Sequence, residues 1–576
     1  MCWSHDFGLV DSPTFSGDDR FFIFSERRRD AAGVPLYVLN ALTGEVVSKL
    51  NVEAVPGSDT TVIASDGSRA LFESGAGGYR IIDIVDGTSK EIARFVPGTG
   101  GAYAFLLPDG HYLASGDAHR LISFGSGGRS QPAESLDIKY NRPDLVAQAL
   151  GAEPTLVQAF RRAYEKRLKR LGISEANLAK DTQPPQVTID YNKAPLTTAE
   201  RVLRLQLDVK RGTAPLAALE VTVNDVPVLG RNGRALTGAQ TSSFSKEEDI
   251  ELAKGNNKIT VRARDANGLT SSRASINVTL TAEPPKPPTL YVLAVGINEY
   301  GGFLNPLSFA RKDAQDIVDV FVKSARPTFA EVKTKVLQDR DRNREATRQG
   351  ILDARAFLAT AAVDDQVVIF MSGHGALDTD YEYRFCATDI DPERLSETTL
   401  TFGEIESLLD DCRARKRIVM LDTCHAGEPD RDDPSLSKVT LLTKARPNSI
   451  SFQPFAAKGG GITAPRMSDL LQNYFIDLRI GTGAAVLSSS TAAQSSIETE
   501  EVKNGFFTSA VIKGLRERKA NPKADLKADL DGNGTVSISE LLRYCQEEVR
   551  ELSNGVQEPV SRHVNLADDF SVMKYR

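Results

Sequence analysis

The rhythm of apolar and polar positions changes four times along the 576 residues. Up to residue 137 short stretches alternate in polarity and are announced by a repeated signal. SGDDRFFIF from Ser16 is echoed by SDGSRALFE from Ser65 and by PDGHYLASG from Pro108. Two of these lead into an alternating run with a T-G or D-G turn, PLYVLNALTGEVV and YRIIDIVDGTSKEI, and the third into the weaker HRLISFGSGG. A period of two predicts half-buried strands, and a repeat of about 40–50 residues predicts propeller blades, about three of them. Residues 138–183 turn to helical spacing. Leu156, Phe160, Tyr164 and Leu168 recur every four residues and Gly172 closes the helix, which reads as an interdomain connector with a solvated basic face. Residues 184–282 return to alternation, in QVTIDY, RVLRLQLDVK, ALEVTVNDVPV, DIELAKGNNKITVRARDANG and SRASINVTL, with turns at Asn224-Asp225, Gly255-Asn256-Asn257 and Asn267-Gly268. That spacing predicts a β-sandwich. EPPKPP, residues 283–288, reads as a stiff linker. From 289 to 576 the strands become unbroken apolar runs separated by helices, the pattern of an α/β domain with a mostly parallel sheet buried on both faces.

Composition narrows the class. The formal charge of −7, from 70 Lys and Arg against 77 Asp and Glu, leaves no basic footprint for nucleic acid. Five cysteines (Cys2, Cys386, Cys412, Cys424 and Cys545) are odd in number, widely spaced and without a C-x-x-C pair. This argues against a disulfide framework and for a reducing compartment. The first residues include Asp6 and Asp11 and do not read as a signal peptide, and no apolar stretch approaches the roughly 18 residues of a membrane helix. The expectation is a cytoplasmic protein without a membrane span.

Two of the apolar runs lead into reactive residues. Val367–Met371 meets Ser372-Gly373-His374-Gly375, and Arg417–Leu421 meets Asp422-Thr423-Cys424-His425-Ala426-Gly427. Between them Thr401-Phe402-Gly403-Glu404 is a capping box that opens a helix, so the two runs are expected as parallel strands that stop at these turns. Ligands of such sheets bind beyond the carboxyl ends of the strands. His374 and Cys424 are therefore expected to share one crevice as a cysteine–histidine dyad. Only a few per cent of a free thiol is ionised near neutral pH, roughly, and an adjacent imidazole raises that fraction. Small flanking residues let N–H groups reach a developing oxyanion. Taken singly, Cys424 reads as one more buried cysteine and His374 as a turn residue. The pair carries the chemistry.

VVIFMSGHG, RIVMLDTCHAG, the opening LYVLAVGINEYGGFLNPLSFARKDAQDI and the later AAVLSSSTAAQSSIE and GFFTSAVIKGL resemble the caspase–metacaspase group of cysteine peptidases, over residues 289–576. The D-x-C-H-x-G form is closer to metacaspases and bacterial relatives than to animal caspases. The resemblance implies an endopeptidase acting on protein substrates, with Cys424 as nucleophile, His374 as general base and acid, and the N–H groups of Gly375 and Cys424 as oxyanion donors. Asp313 matches the metacaspase pocket aspartate. Asp422, two residues ahead of the nucleophile, is placed to line the same pocket, where animal caspases carry a neutral glutamine. Two carboxylates there would hold an arginine or lysine before the scissile bond and repel an aspartate. The alternative is a hydrogen-bonding turn residue at 422 and a helix-surface charge at 313.

The long segment after Gly427, with PDRDDP and three glycines at 459–461, falls where the resembling family is cut during activation. Cleavage is expected after Lys438, Lys444, Arg446, Lys458 or Arg466. The N-terminal repeats resemble degenerate WD-type repeats, and residues 184–282 an immunoglobulin-like domain lacking the disulfide. The repeats are expected to bind a protein partner or substrate; for the immunoglobulin-like domain a rigid spacer is the default reading, with partner binding as the other. The rival reading is a non-enzymatic β-rich scaffold whose peptidase domain is inactive, against which the intact dyad argues.

One motif lies outside this chemistry, which itself requires no cofactor. Asp529 to Glu540, DLDGNGTVSISE, sets oxygen ligands at Asp529, Asp531, Asn533, Thr535, Ser537 and Glu540 with Gly534 at the sixth position, the pattern of an EF-hand Ca2+ loop. Ser537 to Glu540 is also a capping box for a following helix, so the same residues have a structural reason to be there. A third class of protein, a calcium-responsive interaction module, would make this loop primary.

Overall fold

The computed structural model describes the chain apart from residues 1–9, 16–20, 27–33, 53–60, 64–68, 74–77, 86–87, 100–101, 127–128, 179–182, 326–327, 340–344, 378–382, 392, 425–481, 490–497, 520–523, 563–568 and 576. It divides into two compact units, Met1–Gly172 and Ile173–Arg576.

In the first unit Val10–Phe15, Phe21–Glu26, Val34–Asn40 and Val46–Val52 form a four-stranded antiparallel meander. The strands between Thr61 and Ala114 form a single six-stranded antiparallel sheet in chain order. Where three separate blades are expected, the described residues of this unit make a four-stranded sheet, a six-stranded sheet and a two-stranded ribbon of Ser123–Ser126 with Arg129–Pro132. The cause is the strand Thr88–Pro97, which pairs with Tyr79–Val85 on one side and Tyr103–Leu106 on the other. Its Phe95 ring lies against Tyr79, Tyr103 and Phe105, and such cross-strand aromatic pairs bind the sheet across the seam where a new blade would start.

The helix Pro154–Leu171 buries Leu156, Phe160, Tyr164 and Leu168 and ends at Gly172, whose φ of 66° is the left-handed cap that glycine adopts freely. Lys166, Lys169 and Arg170 are exposed, as on a solvated basic face, with one exception. Arg167 is buried and pairs with Asp137, which also accepts from the Tyr112 hydroxyl at 2.7 Å and the Asn141 amide at 2.9 Å. Through the Asp137 carboxylate this pair ties the helix to the edge strand Tyr112–Ala114.

The second unit opens with a sandwich. One sheet runs through Gln186–Ile189, Val202–Lys210 and Phe244–Glu251, and the other is built on Leu216–Val223, Gly255–Asp265 and Ala274–Leu280. Alternate residues, Leu203, Leu205 and Leu207 against Val221, Ile259 and Val261, fill the space between. Asn224 and Asp225 both have positive φ, 51° and 63°, as a two-residue hairpin turn requires.

The following α/β domain has the strand order Glu331–Gln338, Thr289–Gly296, Gln366–Leu377, Lys416–Cys424, Ala485–Ser488, Val560–Arg562. All neighbours are parallel except the last pair. The helices Ala310–Ser324, Phe506–Arg516 and Ile538–Leu552 cover one face, over Val368, Phe370, Ile418 and Met420. Val367, Ile369, Met371, Val419 and Leu421 face the other way, under Ile351, Leu358 and Ile405. Burial on both faces is why these strands read as unbroken apolar runs. The capping box expected at Thr401 and Glu404 is formed.

The two central strands do not stop where their apolar runs stop. One continues through His374 to Leu377 and the other through Asp422 to Cys424. Gly373 permits this, since a Cβ there would lie 2.8 Å from the Tyr300 hydroxyl and 3.1 Å from the Phe385 ring. Beyond it Tyr383–Cys386 pairs antiparallel with Gly375–Leu377.

The sandwich grips the sheet at the ends where its strands begin. Asp364 accepts from the Arg201 guanidinium and from the Lys254 N–H, each at 2.7 Å. Arg231 binds Asp410 and the Gly403 carbonyl, Arg413 pairs with Glu251, and Arg415 donates to the Glu251 carbonyl at 3.2 Å. Gly483 sits against the hairpin turn, where a Cβ would come 2.5 Å from the Asp225 carbonyl oxygen. Residues 364, 415 and 483 stand just ahead of three parallel strands, at the end of the sheet opposite His374. EPPKPP is tied down as well, through Lys254 to Glu283 and through the Pro288 carbonyl to the Ala330 N–H. Asp364→Ala strips a part-buried arginine of its partner and is expected to lower stability by about 2 kcal/mol. Urea unfolding followed by hydrogen exchange in both domains should show one shared transition. A sandwich that melts separately, with the α/β domain unaffected, would contradict the joint.

Candidate active site

Register brings the sequence-predicted pair together. The strands pair from Gln366 opposite Lys416 to His374 opposite Cys424, and neighbouring strands lie about 4.8 Å apart. The side chain of Cys424, together with residues 425–481 and their expected cleavage sites, lies outside the described residues.

His374 is held from three sides. Its Nε2 lies 2.9 Å from the Asn305 carbonyl oxygen. A carbonyl only accepts, so this contact places the ring proton on Nε2 and leaves Nδ1 as the basic nitrogen. The Tyr300 ring lies 4.8 Å from the imidazole, and the Tyr300 hydroxyl accepts the His374 backbone N–H at 2.7 Å while donating to the Ile297 carbonyl. Burial lowers the imidazole below its ordinary value of 6.5, with the Asn305 contact opposing. The ring is therefore neutral, and able to take a proton, near neutral pH. Sequence reading missed Tyr300 and Asn305. The one local signal is Pro306, which keeps the residue before it extended.

Asp313 and Asp422 also converge. Asp313, in the first turn of its helix, is not the surface charge of the alternative reading, for it is 2% exposed and Asp422 is 5% exposed. Asp313 accepts from Ser372 Oγ at 3.1 Å, from Asn504 Nδ2 at 2.8 Å and from the Gly505 N–H. Asp422 accepts from the N–H and hydroxyl of Thr508. Gly505 admits the pair, since a Cβ there would lie 2.3 Å from Asp422 Oδ2. Burial first, and then the Asp422 charge, push the Asp313 carboxyl well above the usual carboxylate range, against the hydrogen bonds from Asn504, Ser372 and Gly505. Glu498 adds to this acidic ground. Burial raises its carboxyl, the N–H groups of Ser308 and Phe309 oppose, and Asp422 raises it further. Strand alternation puts Ser372 and Asp422 on the same face, the one that carries Asp313, and His374 and Cys424 are the next positions of that parity.

The loop from Asp529 to Glu540 lies elsewhere in the domain. Carboxylate oxygens of Asp529, Asp531 and Glu540 fall within 4.8 Å of one another. Asp529 accepts from the N–H groups of Gly532 and Gly534, both at positive φ. Glu540 accepts from Ser537 and Leu530, so the capping box and the convergence of carboxylates coexist. Asn533, Thr535 and Ser537 line the same cavity of about 440 Å³, with Arg543, Asp569 and Ser571. An all-oxygen donor set of this kind fits a hard cation such as Ca2+. A helix follows the loop, whereas residues 524–528 ahead of it are not helical, and Leu526 bridges to Arg518 instead.

Residues 289–571 match the family model described as the caspase domain. Among solved structures the chain is similar to a protein from Geobacter sulfurreducens, with 16% identity over 48% of this chain and 92% of that one, at a TM-score of 0.30. It is also similar to the PKD domain of an M14-like peptidase from a Thermoplasmatales archaeon (16% identity, 18% of this chain, 99% of that one, TM-score 0.14). The fibronectin(III)-like modules of Clostridium thermocellum CbhA give 11% identity over 48% of this chain and 94% of theirs, at a TM-score of 0.13. No curated protein matches the chain. No helix among the described residues is long and apolar enough to cross a membrane. Residues 289–571 are thus a caspase-like domain, which suggests a cysteine peptidase.

Proposed function

We propose that the protein is a cysteine endopeptidase that cleaves protein chains after arginine or lysine with the Cys424–His374 dyad. The observation that carries this reading is the register of His374 opposite Cys424 on adjacent parallel strands. His374 Nδ1 takes the thiol proton, and the sulfur attacks the scissile carbonyl carbon. The carbonyl π pair moves to oxygen, where the N–H groups of Gly375 and Cys424 stabilise it. When the C–N bond breaks, the amine leaves with the proton returned by His374. Water, deprotonated by the same imidazole, then releases the acyl group. Asp313 and Asp422 hold the cationic side chain that precedes the bond. The N-terminal β modules recruit the partner or substrate. Buried free thiols at Cys386, Cys412 and Cys545 support work in a reducing compartment such as the cytoplasm.

Labelling by an electrophilic peptide tests the assignment. Modification should fall on Cys424 and stop cleavage of a fluorogenic arginine peptide. A scaffold with an inactive domain would show neither.

The convergence of Asp529, Asp531 and Glu540 favours a second role, Ca2+ binding with Asn533, Thr535 and Ser537 as further ligands. A ligand of the folded form at about 100 times its Kd adds about 2.7 kcal/mol of stability. Calcium is therefore expected to raise Tm in the wild type and not in Asp531→Ala, which leaves the capping box untouched. Equal melting in calcium and in chelator would reduce the loop to a helix cap.

A further inference from the structure

We propose that Ser489 and Gln557 are positioning residues that aim the Cys424 N–H at the developing oxyanion. The inference rests on the dyad reading above and adds to it the source of that group's orientation.

The ladder between the cysteine strand and Ala485–Ser488 ends with Leu421 opposite Ser488. Three residues, Asp422 to Cys424, run on beyond it. Ser489 has left the strand yet still holds them. Its N–H donates to the Leu421 carbonyl at 2.8 Å, and its hydroxyl donates to the Thr423 carbonyl at 3.2 Å. It thus bonds the main chain on both sides of Asp422. The Thr423 carbonyl and the Cys424 N–H belong to one peptide unit, which is planar and trans, so the two point in opposite directions. Fixing the carbonyl fixes the direction of the N–H. The Thr423 hydroxyl, bonded to the Tyr383 hydroxyl at 2.9 Å, limits the remaining rotation.

Ser489 is itself held from behind. Its carbonyl accepts from Gln557 Nε2 at 2.8 Å. Gln557 and Ser489 are both 0% exposed. The Gln557 backbone is pinned in turn by Ser553, whose hydroxyl accepts the Gln557 N–H at 3.0 Å and donates to its carbonyl at 3.2 Å. A buried amide is tolerated only where its polar atoms are satisfied, and an apolar residue of that size would serve packing alone. What the amide supplies is direction, passed through Ser489 to the peptide unit ahead of the nucleophile.

Ser489→Ala removes the hydroxyl, and Gln557→Met keeps the volume without the donor. Loss of one oxyanion donor lowers kcat by about 10²–10³-fold. With the N–H misaimed rather than lost, kcat is expected to fall about 10–100-fold in each variant, with KM within about twofold. Two reagents separate aiming from general damage. A peptide aldehyde is attacked by the thiolate at its carbonyl carbon, the π pair moving to oxygen, so its affinity should fall in step with kcat. Iodoacetamide alkylates the sulfur with loss of iodide and forms no oxyanion, so its rate at Cys424 should stay at the wild-type value. Unchanged kcat in both folded variants, or an iodoacetamide rate that falls with kcat, overturns the proposal. A wild type that neither hydrolyses peptides nor alkylates at Cys424 sinks the dyad reading instead.

Discussion

Cys424→Ala is expected to remove peptide cleavage, lowering kcat/KM by at least about 10⁴-fold, and His374→Ala to do nearly the same. Each loss is severe because the thiol is a weak nucleophile without a base and the imidazole has nothing to activate without the thiol. The double variant is accordingly expected to be little worse than either single one. Circular dichroism should report an intact fold, since both positions lie at the carboxyl ends of their strands, past the apolar runs that fill the two cores. The acid limb of the wild-type pH profile should lie below 6.5, because burial lowers the His374 imidazole. The same displacement makes a stability term. A depressed histidine contributes above the unfolded value of 6.5, and its contribution is lost as pH falls through the folded value. His374→Ala should therefore flatten the decline of Tm in acid. Peptidase activity persisting in purified Cys424→Ala would place the nucleophile elsewhere.

An arginine peptide is expected to be cleaved at least about 100-fold faster than the same peptide with aspartate. Unit charges about 4 Å apart interact by about 4 kcal/mol at an effective dielectric of 20, so a cation beside the acidic pair is favoured and an anion excluded. Arginine should exceed lysine slightly, because its planar fork can bond carboxylates twice. Asp313→Asn and Asp422→Ala should each erase most of the selection. Asp313→Asn should also stabilise the empty enzyme. The Asp313 carboxyl is raised above its unfolded value of 3.8 by burial and by Asp422. Its favourable term is complete below the unfolded value and is lost as pH rises through the folded one. At neutral pH the acid therefore weakens the fold, and the amide, which can still meet Ser372 and Asn504, removes that penalty. A rise in Tm of about 2 °C or more near pH 8, closing toward pH 4, is the expected pattern. A wild type that prefers the aspartate peptide would overturn the pocket.

The parallel strands were legible because Val367–Met371 and Arg417–Leu421 are buried on both faces and must be apolar throughout. Their continuation through polar residues was not. It depends on Gly373 fitting beneath Tyr300 and Phe385, contacts that no local pattern announces. The basic face of the helix Pro154–Leu171 reads as solvated because charge suggests water, whereas Arg167 finds Asp137 from a distant segment. Cys424, His374 and Asp422 stood out by residue type and position, and Asp313 through the family resemblance. The Asn305 carbonyl carries no side-chain signature, and Ser489 and Gln557 look like ordinary polar residues until the fold sets them behind Thr423. EPPKPP reads as a stiff linker, and only the bonds to Asp364 and Glu251, with Gly483 packed against the Asp225 turn, show that the sandwich ahead of it is fastened to the sheet.

That fastening sets a rule for substrates. The sandwich holds the ends where the strands begin, and His374 and Cys424 lie where they finish. The cysteine strand is 9 residues long, and at roughly 3.3 Å per residue it separates the two by about 30 Å. An extended chain needs about nine residues to cover that distance. A protein captured on the sandwich can present its scissile bond to Cys424 only if docking motif and cut site are spaced by at least about that many residues in a pliant segment. Sequences that match the cleavage preference but lie close beside the docking motif would be spared.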